Sequence, residues 1–285
     1  MRIDLHTHSS VSDGTDTPTA LVHAAAAAGL DVVALTDHDT TASWGEAAQA
    51  AGEAGVTLVR GTEISTLLDG SSVHLLGYLF DPDDAALAAE LDRICNDRIP
   101  RLQRMTALAQ SELGSQVTWE HVLTAAGDAE SVGRPHLADA LISLGEASSR
   151  EDAFDRLIGP SSRAYVPKHA PDTSTAIRLV RTAGGVPVVA HPWARGRRGV
   201  LDVATLGRLR DAGLVGIEVD HLDHDDATRA ELSRIADELG LVPTGSSDYH
   251  GNGKQGYGLG VCTTSPQSYE AILAAVGSNG VNPVP

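Results

Sequence analysis

The sequence has 285 residues, 42% hydrophobic and 21% charged, and it contains no apolar run long enough to span a bilayer. Thirty-eight acidic side chains against 21 basic ones leave a formal charge of −17, which opposes binding along a polyanion and argues against long duplex DNA as a partner. Two cysteines, Cys95 and Cys262, stand far apart in no CxxC arrangement, and MRIDLHTHSS has no apolar h-region, so a reducing cytoplasm is expected.

Apolar runs at residues 3–6, 31–36, 57–62, 72–79, 186–191, 215–219 and 241–246 read as strands. Helical periods cover 18–28, 42–54, 203–212, 225–239 and 268–276. The first helix has Thr17 before it, Pro18 just inside and Gly29 just after, a regular start and stop. This alternation predicts βα units around a largely parallel barrel, built from residues 1–80 and 171–285. Residues 81–170 break the rhythm, with helices at 84–112, 119–126, 136–144 and 150–158 and no strand between them. They read as a helical insertion that shapes the substrate pocket. The tail, SNGVNPVP, reads as a frayed terminus.

On that scaffold His6 and His8 end the first strand, His38 follows the second and Glu63 the third. His74 lies on the fourth, His191 ends the fifth, and Asp248 and His250 follow the last. Strand ends of a parallel barrel open on one face, so these residues converge there with Asp13 from the first loop. Six imidazoles and three carboxylates exceed what one ion needs, so two or three divalent ions are expected. Mixed imidazole and carboxylate suits Mn, Zn or Fe better than Mg, which prefers oxygen and water. Two ions would leave a locally positive pit that draws a small anion. Asp37 and Asp39 fit a supporting or loop-capping role as well as a catalytic one. His23 and His121 read as helix-face residues and His224 as part of an acidic surface run. His169 and His221 are weaker candidates for substrate contact, and the cysteines read as buried small hydrophobes.

Six motifs, DLHTHS (4–9), SDG (12–14), TDHD (36–39), GTE (61–63), AHP (190–192) and SSDYHG (246–251), together resemble the polymerase and histidinol phosphatase (PHP) family of metallophosphoesterases. The resemblance runs over nearly the whole chain and implies a distorted (β/α)7 TIM-like barrel with two or three ions. It implies that His6, His8, Glu63 and Asp248 hold one ion and Glu63, His74 and His191 a second, with Glu63 bridging. Asp13, His38 and His250 would hold a third. Asp13, His38, Glu63, His191, Asp248 and His250 are therefore the expected catalytic set.

The insertion and GRPH (133–136) are similar to the branch acting on nucleotides, which implies a phosphomonoesterase for a nucleoside 3′,5′-bisphosphate or 5′-monophosphate, with a metal-bound hydroxide as nucleophile. Arg134, His136, Lys168 and Arg195 are the candidates for binding a second phosphate, with Arg197 and Arg198 beside them, and Trp193 either stacks on a base or packs. Alternatives are trimming of short 5′-phosphorylated RNA, cyclic phosphodiester hydrolysis, a histidinol phosphatase and a non-catalytic metal-dependent nucleotide-binding module. The sequence sets no oligomeric state.

Overall fold

A computed structural model of the chain describes residues 1–285 except 128, 130, 131 and 255 and the side chains of 195–197. Seven strands form one sheet in chain order: β1 (Ile3–Asp4), β2 (Val32–Leu35), β3 (Thr57–Leu68), β4 (Ser71–Tyr78), β5 (Val186–Val189), β6 (Gly216–Asp220) and β7 (Val242–Gly245). A parallel bridge between Thr7 and Tyr249, just past β1 and β7, brings the sheet edges together into a nearly closed barrel. The helices α1 (Pro18–Ala27), α2 (Trp44–Ala54), α7 (Thr173–Thr182), α8 (Val203–Asp211), α9 (Asp226–Leu239) and α10 (Pro266–Ala274) belong to its βα units.

The sheet departs from the parallel expectation at β4, which runs antiparallel to both β3 and β5. Its cause is local: Leu68 pairs with Ser71 across Asp69 and Gly70, at φ 48° and 80°. Positive φ at both central residues of a two-residue loop is the hairpin geometry that favours Asp-Gly. His74 therefore lies early on a descending strand, opposite Ser65, rather than at an ascending strand's end. Helix α7 was not expected from the sequence; Asp172 caps it by accepting from Ser174 N at 2.9 Å and Thr175 N at 3.3 Å.

Between β4 and α7 lie α3 (Ala85–Leu113), α4 (Trp119–Ala126), α5 (Arg134–Ser143), α6 (Arg150–Ala153) and a π-helical turn (Phe154–Ile158). They enclose an apolar cluster of their own, including Leu102, Met105, Val122, Leu137, Leu141 and Ile158. The barrel and its helices share other clusters, one of them spanning Ile3, Val32, Val59, Leu76, Tyr78 and Val188. Each fully buried Leu, Ile or Val contributes about 1.5–3 kcal/mol, so the insertion has an apolar core of its own, while Leu87, Leu91 and Ile94 of α3 pack into a barrel cluster with Ile64, Leu75 and Ile177. The tail is not frayed: Val281 N donates to Leu79 O, and Val284 and Leu58 exchange backbone bonds of 2.8 and 2.9 Å. Among the described residues, no helix is long and apolar enough to cross a membrane.

Candidate metal centre

The short β1 delivers His6 and His8 to the barrel mouth, where their Nε2 atoms stand 3.0 Å apart. Asp13 reaches the same place because Gly14 lets the loop fold back; a Cβ on Gly14 would lie 2.2 Å from His8 O. His38 pairs with Glu63 across a parallel bridge. His191 and Asp248, both with positive φ (28° and 51°), turn in from the ends of β5 and β7. Side-chain-bearing residues rarely hold that conformation, and such strain collects at functional sites.

Glu63 is the centre of the group. Its Oε1 faces His74 Nδ1 at 2.7 Å and His191 Nε2 at 3.1 Å. Its Oε2 faces His6 Nε2, His8 Nε2 and His38 Nδ1 at 3.3, 3.2 and 3.1 Å. On the other side of His6 and His8, Asp248 Oδ1 stands 3.6 and 3.5 Å from their Nε2 atoms, and His250 Nε2 is 3.3 Å from Asp13 Oδ1. The nine expected residues are thus brought together. Ligand atoms lie within 4.8 Å of one another in three groups: His8, Asp13, His38 and His250; His6, His8 and Asp248; and His38, Glu63 and His74. His8 and His38 each belong to two groups, whereas the family resemblance gives each to one ion.

The donor set fits divalent cations. Burial disfavours charge on Glu63, Asp13 and Asp248, yet the surrounding rings, and Lys254 beside Asp248, hold all three well below the usual carboxylate range. Burial pushes His38 and His74 down, and brings His191 to about 4 against the pull of Glu63. Ionised carboxylates and neutral imidazoles are the states in which these groups bind metal; burial opposes charge on His6 and His8 too, but Glu63 and Asp248 overcome it, raising His6 well above its usual range and His8 to about 9, so an ion between them would displace their protons. His8 Nδ1 is buried without a hydrogen bond, with Asp13 Oδ1 at 3.7 Å, a further sign that this pit is shaped for a cation.

Several supporting residues were not anticipated from the sequence. Glu218, fully buried on β6, meets His6 Nδ1 at 3.3 Å and accepts from His191 N at 2.7 Å. Burial pushes its carboxyl up, but His6, His221 and His191 overcome that and hold it at about 2. An acid set between Ile217 and Val219 in β6 was the available signal. Asp4 accepts from Ser247 N and Gly260 N, both at 2.9 Å, tying β1 to the segment after β7. Asp37 accepts from Ser9 N, Ser9 Oγ and Ser12 Oγ at 2.8, 2.7 and 2.6 Å, and so fixes the Asp13 loop. Asp39 holds Ser65 and, across from the insertion, Arg98 on α3.

Other expectations are corrected. His221 is buried; its Nδ1 accepts from Asp223 N at 3.1 Å, so Nε2 donates to Asp248 Oδ2 at 3.3 Å. It supports a ligand rather than a substrate. His224 is not on the surface but buried, with Nδ1 3.0 Å from Val219 O. His169 meets Glu90 on α3 at 3.1 Å, and His121 caps α4. Cys262 is buried, but Cys95 is only partly so, and its thiol donates to Asp39 O. Trp193 packs, donating to Leu201 O at 2.9 Å, and Arg198 pairs with Glu231.

Arg134 lies over the rings of Phe154 and Tyr165 at 5.0 and 5.7 Å. His136 Nδ1 accepts from Gly133 N at 3.0 Å, so the GRPH motif builds a helix cap and places the ring proton on Nε2. Lys168 is brought down to about 7, mainly by burial, with Asp39 opposing and Arg98, Arg134 and Arg101 adding repulsion. The Arg195 and Arg197 side chains lie outside the described residues.

A seven-stranded barrel with this cluster at its mouth defines a metal-dependent phosphoester hydrolase, and a PHP domain model matches residues 4–177. The chain belongs to that family and is a PHP phosphoesterase. It is 34% identical over 257 residues to a 5′-3′ exoribonuclease of Haemophilus influenzae, with 87% of this chain and 90% of that protein covered. It is 32% identical over 258 residues to a 3′,5′-nucleoside bisphosphate phosphatase of Chromobacterium violaceum, covering 90% of each. The structure of a protein inferred to be a metal-dependent phosphoesterase, from Bifidobacterium adolescentis, superposes with a TM-score of 0.91 at 37% identity, covering 98% of this chain and 96% of the other.

Proposed function

We propose that the chain is a phosphomonoesterase that removes phosphate from a nucleotide, with a nucleoside 3′,5′-bisphosphate preferred to a 5′-monophosphate. The observation that carries this reading is the cationic pair Arg98 and Lys168, which acts from the insertion side on Asp39 and on His38 and His74 of the metal centre, with Arg134 beside Lys168. A substrate with one phosphate at the ions and another a sugar's width away suits that arrangement; the names of the Chromobacterium and Haemophilus relatives support a nucleotide.

Two or three ions, Mn, Zn or Fe, would be held by His6, His8, Asp13, His38, Glu63, His74, Asp248 and His250, together with His191 through its place at Glu63 Oε1. When bound they supply Lewis-acid charge for the phosphoryl oxygens and lower the pKa of a water. The chain's own residues do the positioning. Glu63 gives one oxygen to each half of the site, and His221 and Glu218 fix Asp248 and His6. Arg134 and Lys168 hold the second phosphate by charge, and the Nε2 proton of His136 is a further donor toward it. Residues 81–170 act as the wall that sets substrate length.

The test is phosphate release by Mn-loaded protein from adenosine 3′,5′-bisphosphate, AMP, a short 5′-phosphorylated RNA and histidinol phosphate, compared by kcat/KM. Preference for the bisphosphate is expected. Preference for histidinol phosphate overturns the nucleotide reading, and nucleotide recovered intact after long incubation overturns catalysis altogether.

A further inference from the structure

Helix α5 carries two polar side chains on one face. His136 stands three residues before Asp139, the spacing that makes helix side chains neighbours. The histidine is 5% exposed and its Nδ1 accepts from Gly133 N at 3.0 Å; among the described residues its Nε2 proton has no hydrogen-bond partner. Burial pushes the ring's pKa down, Asp13 of the metal centre and Asp139 oppose this, and Arg150 and Arg98 add to burial, so the ring remains a neutral donor.

A buried N–H without a partner is costly, and a carboxylate one turn further along the helix is its nearest acceptor. Asp139 does not accept it. Arg150, the first residue of α6, takes both of its oxygens: Nε meets Oδ1 and Nη2 meets Oδ2, each at 2.7 Å. Burial works against the charge on Arg150, and Asp139 with Asp13 more than offsets that. The remaining nitrogen, Nη1, stands 3.5 Å from Gly253 O, three residues after the ligand His250. Gly253 leaves room for this approach, since a Cβ there would lie 3.3 Å from Nη1 and 3.7 Å from Cζ. The guanidinium thus spans from the insertion to the barrel segment after β7.

We propose that Arg150 is a positioning residue for the reaction: by occupying both oxygens of Asp139 it keeps that carboxylate from drawing in the His136 proton, and so leaves Nε2 turned to the substrate's second phosphate. The proposal rests on the nucleotide reading above and adds to it a residue that acts only through Asp139 and His136. A planar fork is needed for this. The ammonium of a lysine is a point charge that meets one oxygen and leaves the other to His136. An ion pair of purely structural use would show its loss in stability alone, without a preference among substrates.

The experiment compares kcat/KM for adenosine 3′,5′-bisphosphate and for AMP in Mn-loaded wild type, Arg150→Met, Arg150→Lys and the double variant Arg150→Met with Asp139→Ala. In Arg150→Met the bisphosphate to AMP ratio falls about tenfold, carried by KM for the bisphosphate. Arg150→Lys, the milder change, moves the ratio in the same direction. The double variant has lost the competing acceptor and recovers the wild-type ratio. In parallel, the nitrogen NMR signal of His136 Nε2 in Zn-loaded protein shifts in Arg150→Met and returns in the double variant. An unchanged ratio in both single variants, a loss that Asp139→Ala leaves or deepens, or an Nε2 signal that does not move overturns the assignment. Wild-type protein with no preference for the bisphosphate overturns the nucleotide reading, and the Nε2 signal then decides the role of Arg150 alone: movement and return support it, constancy overturns it.

Discussion

Glu218 Oε1 stands 3.3 Å from Nδ1 of His6, on the far side of the ring from Nε2, which faces Glu63 and Asp248. A carboxylate behind a ligating imidazole fixes its tautomer and raises its basicity. Glu218→Gln keeps the shape and removes the charge, so metal affinity should fall about 10–100-fold with the fold intact. Competition with a fluorescent chelator measures this; an affinity equal to wild type would show that Glu218 acts only in packing.

Glu63 is the group shared by both halves of the site. Glu63→Gln should therefore lower the number of ions retained after desalting, whereas Asp248→Ala and His191→Ala should abolish phosphate release with the circular dichroism spectrum retained. Full activity in metal-loaded Asp248→Ala and His191→Ala proteins would refute the site. Because the ions bind the folded chain, adding Mn should raise the wild-type melting temperature, and less so in Glu63→Gln.

Lys168 is half-buried and half-protonated at about pH 7, since its pKa has come down from an ordinary 10.5. A phosphate placed against it favours the charged form, so binding of a bisphosphate is strongest below pH 7 and weakens as pH rises through that value. The sign for folding is the opposite of that for a stabilising pair. The unfolded chain holds the proton up to about 10.5, so ligand-free stability rises with pH between about 7 and 10.5. Lys168→Met should flatten this part of the KM profile; a profile that keeps its slope assigns the titration to another group.

Arg98 and Asp39 join the insertion to the loop that carries His38, with side-chain exposures of 17% and 0%. A pair that dry is costly to break from one side. Arg98→Met should destabilise the protein by about 3 kcal/mol, read as a lower urea midpoint at constant slope. A change within a few tenths of a kcal/mol would mean that Ser65 alone satisfies Asp39.

Much of the fold was legible because period and punctuation agree. The strand at Val32–Leu35 is wholly apolar, and α1 has its Thr17 cap, Pro18 and terminal glycine where such residues belong. The inverted β4 was not read from the sequence, although Asp69-Gly70 between two β-rich runs is a hairpin signal that should outweigh the expectation of a crossover. Helix α7 was obscured by its run of Thr and Ser, whose helix propensity is low; capping by Asp172 and burial of Ala176, Ile177 and Val180 override it. At the site the ligands could be read because they sit in tight motifs. Glu218, His221 and Arg98 could not, because each works through a partner far along the chain: 212 residues from Glu218 to His6, 27 from His221 to Asp248 and 59 from Arg98 to Asp39. Even GRPH had two meanings, and its histidine is part of a helix cap whatever else it binds.

The bridge between Thr7 and Tyr249 places the first and last strands side by side, and the ligands His6 and His8 meet Asp248 across that seam. During synthesis the N-terminal histidines emerge early and wait for a partner some 240 residues behind them. The groups that include Asp248 or His250 are therefore incomplete in a nascent chain until the last strand docks, whereas His38, Glu63 and His74 come together without it.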